Sequence, residues 1–427
     1  MLRSSYAHRL GVLATVTAAL WVLAPSARGF FGVGTTQAAP STMAADLLLE
    51  NQWHLKDRSA EAGGANVRAA WPSSLGSGVV IGIVDDGLQY VHPDLAPNYL
   101  ASASFDFNFN DADPQPYATA GHGTAIAGLA AARGDNTIGV AGVAPQASLA
   151  GLRLTAVAAT DAQEASAFNF QPDVIDILNN SWNPTDNGTT LKAPGPLAEA
   201  ARQSAVTSGR QGKGRVFVWS SGNGRLLSDD CNFDGYANSR FAIAVGATTD
   251  AAVQMSQSEG CSALMVVAPA AGTSRALTTT DLIGTSGYDS TDYTSAFGTT
   301  STGGMNAAAP TVSGAAALML ARNPNLTWRD VQDILRRTSV RILPTDAGWT
   351  TGAFPHNERL GFGLLDAEAA VNLAGTWTNV PTEEVVAPAT KNVNQAIPDI
   401  NQTGINSTIT IAAAESNFVI EHIEVDF

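Results

Sequence analysis

The chain has 427 residues, 45% of them hydrophobic, and a formal net charge of −15. This composition supports a folded core and excludes global disorder, and the length admits one large domain and part of a second. The acidic balance excludes nucleic acid and anionic membranes as main partners; it suits bound cations or basic substrates.

The N-terminus has the pattern of an export signal over residues 1–27. Arg3, His8 and Arg9 precede an apolar run from Leu10 to Ala24, and Pro25-Ser26-Ala27 follows. The run is short of the ~20 residues of a membrane span. A secreted, periplasmic or cell-surface protein without stable membrane insertion is expected. Residues 28–45 form a short Gly/Thr/Ala-rich linker. An exported chain can hold a disulfide, and its two cysteines, Cys231 and Cys261, allow one pairing.

From about residue 46 to 375, apolar strands alternate with Ala-rich helices. The strand candidates are Val79–Val84, Ser148–Leu152, Val174–Asn179, Val216–Ser220 and Phe241–Val245. The helix candidates are Thr124–Ala132, Pro196–Ser208, Val312–Ala321 and Thr327–Arg337. This alternation predicts an α/β fold with a doubly wound parallel sheet, whose site lies at the C-terminal ends of the strands. Over 376–427 the composition shifts to Thr, Val, Asn, Ile and Pro, with β-like runs at Ser407–Ile411 and Phe418–Val425. These read as the start of a β-rich domain.

Two motifs carry acid–base chemistry. The strand Val79–Val84 runs into Asp85-Asp86-Gly87, placing an acid where it can orient a histidine. Gly121-His122-Gly123-Thr124 opens an Ala-rich helix, and the flanking glycines let backbone and substrate approach the imidazole. Either motif alone also reads as a turn or a helix cap.

Together, and in this order, they resemble the subtilisin-like serine proteases. Further segments resemble the kexin/furin-like branch: His92-Pro93-Asp94-Leu95, Ser181-Trp182-Asn183-Pro184, Trp219-Ser220-Ser221-Gly222-Asn223-Gly224, Cys231-Asn232-Phe233-Asp234-Gly235-Tyr236 and Asn325-Leu326-Thr327-Trp328-Arg329-Asp330. The resemblance implies a subtilisin-like peptidase domain over 46–375, the beginning of a P domain over 376–427, and serine endopeptidase chemistry; a monomer is expected. Asp85 would orient the base, His122 would be the general base, and Asn223 would donate to the oxyanion.

The nucleophile loop departs from the family pattern of Gly-Thr-Ser, three small residues and Pro. Here Phe297-Gly298-Thr299-Thr300-Ser301 is followed by Thr302-Gly303-Gly304-Met305-Asn306 and then Ala307-Ala308-Ala309-Pro310. Counting forward from Phe297 makes Ser301 the nucleophile. Counting back from Pro310 puts Asn306 in its slot, and asparagine is a strong helix cap but cannot form an acyl-enzyme.

The kexin-like resemblance further implies a peptide or protein substrate with basic residues. Asp186 and Asp234 would line a P1 pocket that favours Arg, with Trp182 beside it and Asp86 acidifying the P2 region. Lys192 stands where relatives that require arginine at P4 carry an acid. Calcium is the implied cofactor, held by Asp46, Asp94 and Asn136 at one site and by Asp186, Asp229 and Glu259 at another, since hard cations take oxygen ligands. Cys231 and Cys261 coincide with a family disulfide.

Overall fold

The computed structural model describes residues 13–21, 46–117, 119–272, 275–299, 304–384, 389–392 and 419–426. They divide into two units, Thr36–Asn379 and the combination of Met1–Thr35 with Val380–Phe427. The strands are β1 (Leu13–Trp21), β2 (Val80–Asp85), β3 (Phe105–Asp106), β4 (Ser148–Arg153), β5 (Ile177–Asn180), β6 (Val216–Ser220), β7 (Ala242–Thr248), β8 (Leu264–Pro269), β9 (Leu277–Thr280), β10 (Tyr293–Phe297), β11 (Ala389–Asn392) and β12 (Val419–Asp426). The α-helices are α1 (Val67–Ala70), α2 (His122–Ala131), α3 (Asp161–Phe168), α4 (Pro196–Gly212), α5 (Ala308–Arg322), α6 (Trp328–Thr338) and α7 (Ala367–Ala374).

In the larger unit, seven strands form one sheet in the order β3-β4-β2-β5-β6-β7-β8, and every pairing is parallel. All residues of β2, β5, β6 and β7 are buried. Their apolar runs are continuous because helices cover both faces of such a sheet. The strand order reverses at β2, and doubly wound sheets bind ligands in the crevice at that point. Asp85 is the last residue of β2.

Helix α5 packs across β5 to β8 and against α2. Its buried run from Ala308 to Leu320 consists of small and apolar residues with no charge, so the helix can sit deep in the core. Helix α6 starts on a reciprocal cap, in which Thr327 accepts from Asp330 N and the Asp330 carboxylate accepts from Thr327 N. The β9–β10 pair is a separate antiparallel ribbon leading into the nucleophile loop.

The smaller unit is a three-stranded antiparallel sheet, β11-β1-β12. The expected run Phe418–Val425 corresponds to β12, and part of the N-terminal apolar run forms β1. The rest of the expected signal, the linker 28–45 and the expected strand Ser407–Ile411 lie outside the described residues.

Candidate active site

Asp85 and His122 meet at the C-terminal edge of the sheet. Asp85 Oδ1 lies 2.8 Å from His122 Nδ1, and Asp85 is buried. The next residue, Asp86, caps the helix that carries the histidine: its Oδ1 accepts from Gly123 N at 2.8 Å and its Oδ2 from His122 N at 3.3 Å. A carboxylate at a helix N-terminus is favoured by the helix dipole. Gly123 cannot be larger, since a Cβ there would stand 2.1 Å from the Gly87 carbonyl oxygen.

Burial opposes protonation of His122. The charge and hydrogen bond of Asp85, with Asp86 behind them, outweigh that effect and push its pKa up to about 9. Burial and the Asp85 charge push Asp86 up to about 6. In the neutral imidazole this geometry fixes the proton on Nδ1, and Nε2 is then the nitrogen that would take a proton from a nucleophile.

The described residues flanking the expected nucleophile loop touch His122 at one end and Asn223 at the other. Phe297, at its start, has its ring centroid 5.8 Å from that of His122. At its far end, Met305 N donates to Asn223 Oδ1 at 2.9 Å. Gly304 N donates to Thr299 O at 2.9 Å. Ser301 lies outside the described residues.

Asn306 belongs to a short 3-10 turn ahead of α5. Its side-chain oxygen accepts from Ser220 Oγ at 2.8 Å and stands 3.4 Å from Asn223 Nδ2, while its backbone carbonyl accepts from Ser181 Oγ at 2.9 Å.

The acidic residues assemble beside Asn223. Single carboxylate oxygens of Asp186, Asp229 and Glu259 lie within 4.8 Å of one another. Asp186 Oδ2 accepts from Asn223 N at 3.1 Å, and Glu259 Oε1 accepts from Gly224 N at 2.7 Å. Gly222 has φ +111, and a Cβ there would press into the Glu259 carboxylate at 2.4 Å. Burial, then the charges of Asp186 and Asp229, push Glu259 up to about 8. Burial raises Asp186 as well. Among the described residues no Lys or Arg forms an ion pair with these three acids.

Asp234 sits on the same side. Its Oδ2 accepts from Asn183 Nδ2 at 3.2 Å and its Oδ1 from Tyr236 N at 2.8 Å. Burial pushes it up to about 6. Asp186, Asp229, Asp234 and Glu259 line one small cleft with Pro184 and Phe233. Trp182 packs edge-on against Trp219 and Tyr236 at centroid distances of 4.6 and 5.2 Å. Cys231 and Cys261 form a disulfide with Cα atoms 5.3 Å apart, tying the Asp234 loop to the stretch beyond Glu259.

The residues expected at the other cation site, Asp46, Asp94 and Asn136, also lie together. Asp46 accepts from the backbone N–H groups of Asp135, Asn136 and Thr137. Asn136 Nδ2 lies 2.6 Å from Asp94 Oδ1, and Asp94 Oδ2 accepts from Val140 N at 2.8 Å. Burial pushes Asp94 up to about 6 and raises Asp46.

Sequence reasoning gave no role to Ser220 or Asn183, which join Asp234 to Asn306. It also missed Glu164, whose Oε2 accepts from Tyr236 Oη at 2.8 Å. The Ser-Ser-Gly-Asn stretch at the end of a strand was the available signal for Ser220. A capping box at Thr160 and Gln163 marks the helix that carries Glu164.

Comparison with known proteins places this geometry in context. The subtilase family (Peptidase_S8) profile matches residues 76–364. The chain is 40% identical over 364 residues to furin-like protease 2 of Drosophila melanogaster, covering 82% of this chain and 21% of that protein. It is 37% identical over 390 residues to kexin of Saccharomyces cerevisiae, covering 89% and 46% respectively. It is 40% identical over 357 residues to proprotein convertase subtilisin/kexin type 7 of Homo sapiens, covering 81% and 44%. The chain thus spans about half or less of these relatives. The serine protease of Aeromonas sobria superposes with a TM-score of 0.71 at 23% identity, covering 85% of this chain and 73% of that one, a likeness of fold. With the parallel sheet, the Asp85–His122 pair and this match, the chain belongs to the subtilase family of serine endopeptidases, in its kexin/furin-like branch.

Proposed function

We propose that the chain has the machinery of a secreted kexin-type serine endopeptidase acting after basic residues, with turnover impaired by its nucleophile loop. The observation that carries the peptidase reading is the Asp85–His122 contact of 2.8 Å at the sheet's switch point. Asp85 holds the imidazole and stabilises its charged form. His122 takes the nucleophile's proton on Nε2 and returns it to the leaving amine. Asn223 Nδ2 donates to the developing oxyanion.

Asp234, buried and with no ion pair among the described residues, suits a basic P1 side chain. The carboxylates of Asp186, Asp229 and Glu259 offer oxygen donors that fit calcium, as do those of Asp46 and Asp94, to which Asn136 would add its amide oxygen once its side chain turns from its present Nδ2 contact with Asp94. In the first set, three clustered carboxylates that form no ion pair with Lys or Arg among the described residues suit a cation. The bound ion would supply positive charge that keeps these acids ionised and in place. Residues 1–27 are proposed as the signal, and 376–427 as the start of a P domain. Among the described residues no helix is long and apolar enough to cross a membrane.

The impairment follows from Asn306. The helix start that follows the loop presents a carboxamide to Asn223, and a carboxamide offers no hydroxyl for acyl transfer. Loss of the nucleophilic serine costs a subtilisin-type protease about 10⁶ in kcat. As written, the chain binds basic peptides and turns them over poorly. The second reading takes Ser301 as nucleophile, favoured by the loop's start beside His122. Labelling with a fluorophosphonate and mapping of the modified residue separates the two: label on Ser301 establishes the second reading, and no label the first.

A further inference from the structure

Ser220 ends β6 and is fully buried. Its Oγ lies 2.6 Å from Asn183 Oδ1 and 2.8 Å from Asn306 Oδ1. A serine hydroxyl carries one proton, so it satisfies one of these oxygens at a time. The Asn183 amide is oriented by its own donors: its NH2 reaches Ser220 O at 2.8 Å and Asp234 Oδ2 at 3.2 Å, which turns its oxygen toward the hydroxyl. Asn306 continues the run to Asn223 Nδ2. Three side chains, Asn183, Ser220 and Asn306, therefore connect the buried Asp234 carboxylate to the proposed oxyanion donor.

We propose that Ser220 is a positioning residue that couples occupancy of the Asp234 pocket to the placement of the Asn306 carboxamide. The inference rests on the reading that Asp234 receives a basic side chain. An amidinium or guanidinium on Asp234 competes with Asn183 for the carboxylate oxygen. Deprived of that partner, the Asn183 amide is less polarised and its oxygen accepts more weakly, since hydrogen bonds in a buried chain reinforce one another. The Ser220 proton then turns to Asn306. The fully buried Ser220 hydroxyl has no solvent to absorb the change, and the coupling is reciprocal: what holds Asn306 alters the affinity of the pocket.

The test uses the full chain in four forms: unmodified, Ser220→Ala, Asn306→Ala and the double variant. The probe is benzamidine, with uncharged benzamide as control. Benzamidine is expected to shift the side-chain amide resonances of Asn306, assigned by their loss in Asn306→Ala, with the half-saturation of binding itself. Asn306→Ala is expected to change benzamidine affinity by about 3–10-fold in the parent, and by no more than about twofold once Ser220 is alanine. Equal effects of Asn306→Ala in both backgrounds, or binding that leaves the Asn306 resonances still, overturn the relay and leave the pocket reading standing. Benzamidine binding no tighter than benzamide overturns both.

Discussion

Glu259 gives the sharpest account of the proposed cation's work. Carboxylate oxygens of Asp186, Asp229 and Glu259 lie within 4.8 Å of one another. At that separation and an effective dielectric of about 20, each ionised pair repels by about 3–4 kcal/mol. Three such pairs approach the whole stability of an ordinary domain, about 5–15 kcal/mol. Without a cation the cluster therefore holds a proton, and burial together with its neighbours places it on Glu259. Calcium at 100 times its dissociation constant stabilises the native state by about 2.7 kcal/mol, equivalent to about 5–10 °C in Tm at about 2–4 °C per kcal/mol. Calorimetry in excess EGTA and in excess calcium chloride should show that difference for the unmodified protein. Glu259→Gln keeps the shape and the acceptor for Gly224 N but removes one charge, so its calcium-dependent shift should fall to less than half. Chelation should also speed amide exchange at Asn223 and Gly224, whose N–H groups are held by two of the proposed ligands. An identical calcium shift in Glu259→Gln and the parent, or no shift in the parent, would refute the reasoning.

Asp234→Asn should weaken binding of peptides with Arg at P1 by about 2–4 kcal/mol while leaving Leu peptides nearly unchanged, read by calorimetric titration. A variant with Thr302–Asn306 removed and Gly-Thr-Ser restored ahead of Ala307 should hydrolyse Arg-P1 peptides; adding Asp85→Asn should then lower kcat by about 10⁴ with folding retained by circular dichroism. In that restored variant, Asp86→Asn should move the acid limb of the kcat/KM profile to lower pH. Asp86 helps to raise the His122 pKa, so its removal lets the imidazole reach the neutral, basic form at lower pH; an unmoved limb counts against this assignment.

The fold was legible where the chain is most repetitive. Val216–Ser220 reads as a strand and forms one with those bounds, because an apolar β-branched run between turn residues has few alternatives. Val174–Asn179 begins late, at Ile177, since the acid Asp176 is turned to cap Val80 N and accept from Arg210. Leu264–Pro269 escaped notice: a short apolar run ending in Ala-Pro reads equally as a buried helix fragment. At the site, Asp85 and His122 carry their signal in neighbouring glycines and strand position. The Ser220–Asn183–Asp234 run has no local signal, because its members lie 14 to 51 positions apart and meet only through the sheet register. The nucleophile loop is the reverse case. Its anomaly is plain in the sequence, yet two registers satisfy the local pattern, and Asn306 is distinguished by its contacts with Ser181, Ser220 and Asn223.

The central claim, an intact kexin-type acid–base and binding apparatus lacking a seated hydroxyl, is tested most directly by fluorophosphonate labelling of two proteins side by side. The unmodified chain should take no label. The variant with Gly-Thr-Ser restored ahead of Ala307 should be labelled on the restored serine, because a hydroxyl at that helix start faces Asn223 and has His122 as its base. Label on Ser301 of the unmodified chain, or no label on the restored serine of a folded variant, would contradict the account.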